Sequence, residues 1–221
     1  MSTKEKLKEY NVSYATMFWL FLIGSVLGFI LEGIWHIIKA GTWESHSATV
    51  WGPFCIIYGI AAMVLYVGAI FLKNKNVISQ IAVCAFTGSF IEYFSSLFQE
   101  ICFGSVSWNY SKQMFNIGGR VSLRMTLLWG LLGVTFVKLV FPLFVKFFAK
   151  MQGRVWDVSC ACLSVFMVAN LLVTSAAVSR WGKRLEKPDV MPANSVESFL
   201  DERFGNERME STFPNMVFKK D

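Results

Sequence analysis

Glu32 and His36 stand four residues apart, as do Glu92 and Ser96, and again Ser96 and Glu100, within stretches otherwise made of leucine, isoleucine, phenylalanine and glycine. On a helix that spacing places each set on one face. The chain therefore carries two polar stripes in apolar surroundings. A charged residue at a bilayer centre costs at least about 2.5–3.5 kcal/mol, and such residues usually face a bundle interior or a watery cavity and often pair. Candidate partners lie in FNIGGRVSLRMTLLWG, residues 115–130, where Gly118 and Gly119 break the chain before Arg120 and Arg124 follows one helical turn later. Arginine presents a fork of donors that matches a carboxylate or a phosphate. If this connection dips into the bundle, Arg120 is placed to neutralise Glu92. If it lies at the surface, Arg120 and Arg124 are placed to bind an anionic head group or substrate at a helix start, or simply to mark the membrane edge.

The elements that must position these residues are apolar helices. Of 221 residues, 54% are hydrophobic and only 16% charged, which argues for lipid rather than water as the solvent. A spanning helix takes about 20 mainly apolar residues, and stretches of that kind run over 16–38, 54–72, 77–98, 125–147 and 157–178. The expected fold is an all-α, polytopic membrane helix bundle of about five spans. The first stretch exceeds the core of a signal peptide and is read as a retained helix. It follows a short N-terminal segment, residues 1–15. Of the five cysteines, Cys55, Cys84, Cys160 and Cys162 fall within or beside spans, where a free thiol behaves as a small hydrophobe. No disulfide framework, metal site or cofactor is expected.

The net charge of +6 is explained by orientation, because no basic stripe with interleaved aromatics lies outside the spans and nucleic acid is not an expected partner. Lys4, Lys6 and Lys8, then Lys73 and Lys75, then Lys146, Lys150 and Arg154 flank alternate ends of the spans. The positive-inside rule places those segments, and the N-terminus, in the cytoplasm. The first and third connections are then outside. Five spans also put the C-terminus outside, whereas Arg180, Lys183, Arg184 and Lys187 argue for the opposite side. Trp43, Trp51, Trp108, Trp129, Tyr58 and Tyr110 gather near the outer ends and read chiefly as an aromatic belt.

The sequence also resembles itself. Gly28-x-x-x-Glu32 and Gly88-x-x-x-Glu92 occupy equivalent places in the first and third spans, and each is followed by a connection rich in glycine and tryptophan and then by another helix. That is a two-helix unit occurring twice in one orientation, as in parallel-repeat transporters. The membrane region closes at about residue 178. Residues 179–221 read as a polar, partly disordered tail, in which SVESFLDERF carries a short amphipathic pattern after Ser195.

Four segments, the G-x-x-x-E helix ending at Glu32, GPFCIIYGIA at 52–61, FIEYFSSLFQE at 90–100 and above all WNYSKQMFNIGGRVSLRMTLLWGLLGV at 108–134, together resemble the ABC-transporter type IV, or CmpB-like, family of small bacterial membrane proteins described as permeases. The resemblance spans roughly residues 16–150. Glu32, Glu92, Asn116 and Arg120 match the family pattern. The chain departs from it at SATVWGP, which lacks an arginine, and at Asn109, which replaces an acid. The resemblance implies transport in the bacterial inner membrane and marks Glu32, Glu92, Asn116 and Arg120; with His36, Glu100 and Arg124 from the polar stripes and the helix start, these form the candidate substrate-binding set. The chain has no G-x-x-x-x-G-K-[ST] phosphate loop, so a separate ATPase subunit is a candidate partner. A second copy of the chain is another, because five helices are few for a complete path. Two other readings stand beside permease: a non-catalytic membrane subunit or regulator whose charges hold helices together, and an intramembrane enzyme using the carboxylates on a lipid-linked substrate.

Overall fold

The computed structural model describes residues 5, 7 and 9–219; Lys4, Lys6 and Lys8 lie outside the described residues. Helix α1 covers Tyr14–Ala40, α2 Ile56–Leu72 and α3 Val77–Phe103. Helix α4 covers Leu123–Thr135 and continues through a π-turn, Phe136–Val140, into α5, Phe141–Lys150. Helix α6 covers Arg154–Glu186, and α7, Ser195–Arg203, and α8, Asn206–Thr212, are short. Four segments are long and apolar enough to cross a membrane: α1, α3, the continuous α4–α5 run over Leu123–Lys150, and α6. The fifth apolar helix, α2, has 17 residues, the lower limit for spanning. The fold is thus the expected all-α membrane helix bundle.

Local chemistry fixes the helix ends. Ser13, Asn76 and Ser122 each accept a hydrogen bond from the backbone N–H three residues on, satisfying a donor the helix cannot use itself. Gly41 and Gly104 stop α1 and α3 in the left-handed conformation, with φ of 77° and 62°, a geometry without penalty only for glycine.

Packing pairs the helices as the sequence repeat anticipates, α1 against α2 and α3 against α4. Small residues make both approaches close. A Cβ at Gly24 would lie 3.0 Å from the Tyr58 carbonyl of α2, and one at Gly130 would lie 3.1 Å from the Ile81 carbonyl of α3. In lipid, where helices gain nothing by hiding apolar surface from one another, such close backbone contact supplies much of the association. The outward faces stay apolar. Phe86, Phe90, Phe94 and Phe98, at four-residue spacing on α3, are all exposed, while Glu92 and Ser96 on the same helix are buried.

Beyond residue 179 the chain folds back onto the end of the bundle formed by the first and third connections. Val217 and Phe218 pair antiparallel with Val106 and Ser105, and Leu200, Phe204, Met209 and Phe213 pack on Ala177, Val178 and Trp181 of α6. The two short strands are β1, Ser105–Val106, and β2, Val217–Phe218. The C-terminal segment therefore shares one end of the molecule with the connections after α1 and α3. Three of the four basic residues around the end of α6 meet acids of this segment. Buried Arg180 donates to Asp201 at 2.7 and 2.9 Å and to Glu197 at 3.1 Å, Lys183 pairs with Glu197 at 3.1 Å, and Arg184 pairs with Asp201.

Candidate functional site

Each two-helix unit builds the same device. On α1, Gly28 leaves room for the ring of Tyr58 from α2, with which a Cβ would collide, and one turn later Glu32 accepts the Tyr58 hydroxyl at 2.5 Å. On α3, Gly88 leaves room for Trp129 from α4, whose Cγ lies 2.5 Å from where a Cβ would sit. One turn later Glu92 accepts the Trp129 indole N–H at 3.1 Å. The Gly-x-x-x-Glu spacing thus has a physical reading: the glycine seats an aromatic body, and the carboxylate receives its polar edge. The two aromatic rings meet between the units with centroids 6.0 Å apart.

The two carboxylates differ in closure. Glu92 is 3% exposed, and its second oxygen accepts the Tyr110 hydroxyl at 3.0 Å, so both oxygens are satisfied. Burial, and then the Glu92 carboxylate, push the Tyr110 hydroxyl far above the usual phenol range, which keeps it a donor. Glu32 is half-buried, and its described hydrogen bond uses one oxygen. The centre therefore has a closed half and an open half.

The loop over 105–122 makes the difference. Trp108 donates to the Arg120 carbonyl at 2.9 Å, and the Tyr110 N–H to the Gly119 carbonyl at 2.7 Å. Asn116 donates to the carbonyls of Ser111 and Gln113 and accepts from the Gly119 N–H. Left-handed turns at Phe115, Gly118 and Gly119 return the chain on itself and lower Tyr110 onto Glu92. Arg120 then clamps the loop to α3, with Nη1 donating to Ser96 at 3.2 Å and Nη2 meeting Glu100 at 2.5 Å. Lys219 of the C-terminal segment reaches the other Glu100 oxygen at 2.5 Å.

The sequence-predicted residues are thus distributed over several places. Glu32 and Glu92 share the aromatic centre. Glu100 and Arg120 form an ion pair beside it, so the partner of Arg120 is Glu100 rather than Glu92, whose neighbours are the neutral donors Tyr110 and Trp129. Asn116 is absorbed in building the loop. His36 stands apart, bonded to the Thr42 carbonyl at 2.8 Å and 3.5 Å from Glu44. Arg124 is exposed and has no described polar partner among the described residues. Tyr58, Tyr110 and Trp129 are the residues that the belt reading hid. Only Trp129 carried a signal, its depth: it lies six residues inside the start of α4, roughly 9 Å along the axis, whereas Tyr58 lies two residues inside α2 and Tyr110 in the loop.

Long apolar helices packed through small residues, with carboxylates turned inward, define a helical membrane protein. Within that class the family model described as "Putative ABC-transporter type IV" matches residues 19–175, and the chain belongs to that family. No curated protein and no solved structure matches the chain.

Proposed function

We propose that this protein is a multi-pass permease subunit in which the aromatic centre between the two units receives a small or amphipathic substrate carrying a hydrogen-bond donor or a positive charge. The N-terminus lies in the cytoplasm and the 105–122 loop outside. The observation that carries the reading is the contact of Tyr58 with Trp129 at 6.0 Å, which sets two inward carboxylates around one ring-lined point. An arriving donor would use the open side of Glu32, and rings such as Tyr58 and Trp129 favour cations over their faces. The loop is the substrate's cover, with Arg120 and Glu100 as its clasp. Energy would come from a separate ATPase subunit.

Accessibility tests this reading. In a background with Cys55, Cys84, Cys102, Cys160 and Cys162 replaced, Glu32→Cys is treated with a membrane-impermeant cationic thiol reagent in right-side-out and inside-out vesicles from cells that contain the natural partners. A permease exposes the position to both faces in turn, so both preparations label. Labelling from one face alone, or none, removes the path. A second reading then gains, since the full satisfaction of Glu92 by Trp129 and Tyr110 also suits a subunit whose carboxylates only hold helices together.

A further inference from the structure

At the opposite end of the bundle from the C-terminal segment, a groove of about 430 Å³ lies between the end of α2 and the π-turn with the start of α5. Its lining holds three lysines, Lys73, Lys138 and Lys146, and no acid. The remaining walls are apolar, from Val137, Phe141, Pro142 and Val145, with Tyr10 at the rim. Lys73 donates to the Tyr10 hydroxyl, its nitrogen 4.2 Å from the centroid of that ring. Lys138 and Lys146 are exposed and have no described ion-pair partner among the described residues. Lys138 is the unexpected member, because it interrupts an apolar run that crosses from Leu123 to Lys150. It sits within the π-turn, Phe136–Val140, a local widening of the helix that is found disproportionately at functional positions.

We infer that this groove binds the phosphate-bearing head group of an anionic phospholipid. Charge complementarity selects the sign: three lysines line the groove and, among the described residues, no carboxylate does. The flank selects the source, because Leu139 and Leu143, 64% and 65% exposed, continue the groove as a greasy surface on which acyl chains can lie. A free inorganic anion would gain nothing from that surface. Basic pockets between membrane helices are known to hold acidic lipid head groups in this manner. The site is distinct from the aromatic centre and does not depend on what that centre carries.

The test uses the full chain in nanodiscs of phosphatidylcholine with or without phosphatidylglycerol, reading lipid retained in native mass spectrometry and the melting temperature. The wild type should retain phosphatidylglycerol and melt higher with it. Lys138→Gln with Lys146→Gln should weaken retention about thirtyfold, the loss expected for two cations at an anionic surface. Lys138→Arg with Lys146→Arg should restore it. Lys75→Gln with Lys150→Gln removes equal charge outside the groove and should change retention little. An equal loss in that control would reduce the effect to general surface charge and overturn the site. Inorganic phosphate supplied to phosphatidylcholine discs should raise the melting temperature little; a rise equal to that with the lipid would make the occupant a free anion and overturn the lipid assignment. All three double variants should fold, since the four lysines are exposed.

Discussion

Trp129 and Glu92, on neighbouring helices and 37 residues apart in sequence, are joined by a buried hydrogen bond of 3.1 Å, and the ring of Trp129 occupies the space that Gly88 leaves open one turn away. The same two contacts, seat and hydrogen bond, recur between Tyr58 and the Gly28–Glu32 pair. Repetition of a device without repetition of its aromatic residue indicates that the geometry, not the ring type, organises the unit.

Loss of the donor should therefore be felt unequally in the two halves. Trp129→Phe leaves a buried Glu92 oxygen without its partner and should cost about 1–3 kcal/mol or more, the penalty of an unsatisfied buried polar group. Tyr58→Phe removes the donor from Glu32, which is only half-buried, and should cost about 1 kcal/mol or less. Unfolding by titrated denaturing detergent in a fixed lipid mixture measures both. Equal costs would show that the two carboxylates are equally closed, against the geometry.

The seat can be tested separately from the bond. Gly88→Ala puts a Cβ about where the Trp129 ring now lies and should destabilise by about 1–3 kcal/mol, as overpacking does, while quenching or shifting the Trp129 fluorescence in a protein stripped of its other tryptophans. Gly68→Ala, in the same bundle with nothing within 4 Å of the new methyl, should be neutral or stabilise by up to about 1 kcal/mol through helix propensity. The contrast between two identical substitutions isolates contact from propensity.

The clasp over the loop is shared. Glu100 meets Arg120 through one oxygen and Lys219 through the other, each at 2.5 Å, so the loop and the C-terminal segment hold the same carboxylate. Arg120→Gln should speed amide exchange of residues 105–122 without moving that of α1, and Lys219→Gln should speed exchange chiefly around β1 and β2. In the cycle of Arg120→Gln with Glu100→Gln, the coupling should lie within about 0.5–3 kcal/mol, as for residues in direct contact. A coupling near zero would mean that solvent already separates the pair.

The helices and their order were legible because a spanning segment must be continuously apolar, and no alternative element satisfies its backbone in lipid. The recurrence of Gly-x-x-x-Glu was legible too, and the contacts explain it. Three things were not. The partner of Arg120 depended on how far the loop 105–122 folds back, which is set by left-handed turns at Phe115, Gly118 and Gly119 and not by any periodicity. Tyr58, Tyr110 and Trp129 resembled a belt because composition cannot separate a ring at the interface from one turned into the bundle. The ion pairs of the cations at the end of α6 were hidden because their acids, Glu197 and Asp201, come later in the chain and return only through the folding of α7.

That last arrangement predicts how acid acts on the molecule. The Arg180 guanidinium, with Arg184 behind it, holds the Asp201 carboxyl below its ordinary value, and the Ala193 N–H, followed by Lys183 and Arg180, does the same for Glu197. A carboxyl whose value is lowered by folding stabilises the folded state above its unfolded value, and that contribution fades as the pH falls through the folded one. Docking of α7 and α8 on α6 should thus be constant from neutral pH to about 5 and weaken below about 4, where unfolded carboxyls take up protons. The change is expected as faster proteolysis and amide exchange in residues 187–219, with α1 to α5 unaffected. Asp201→Asn should loosen the segment already at neutral pH and flatten its pH dependence. If the segment instead stays equally protected below pH 4, the ion pairs with Arg180 do not hold it, and the apolar cluster of Leu200, Phe204, Met209 and Phe213 with Trp181 is sufficient alone.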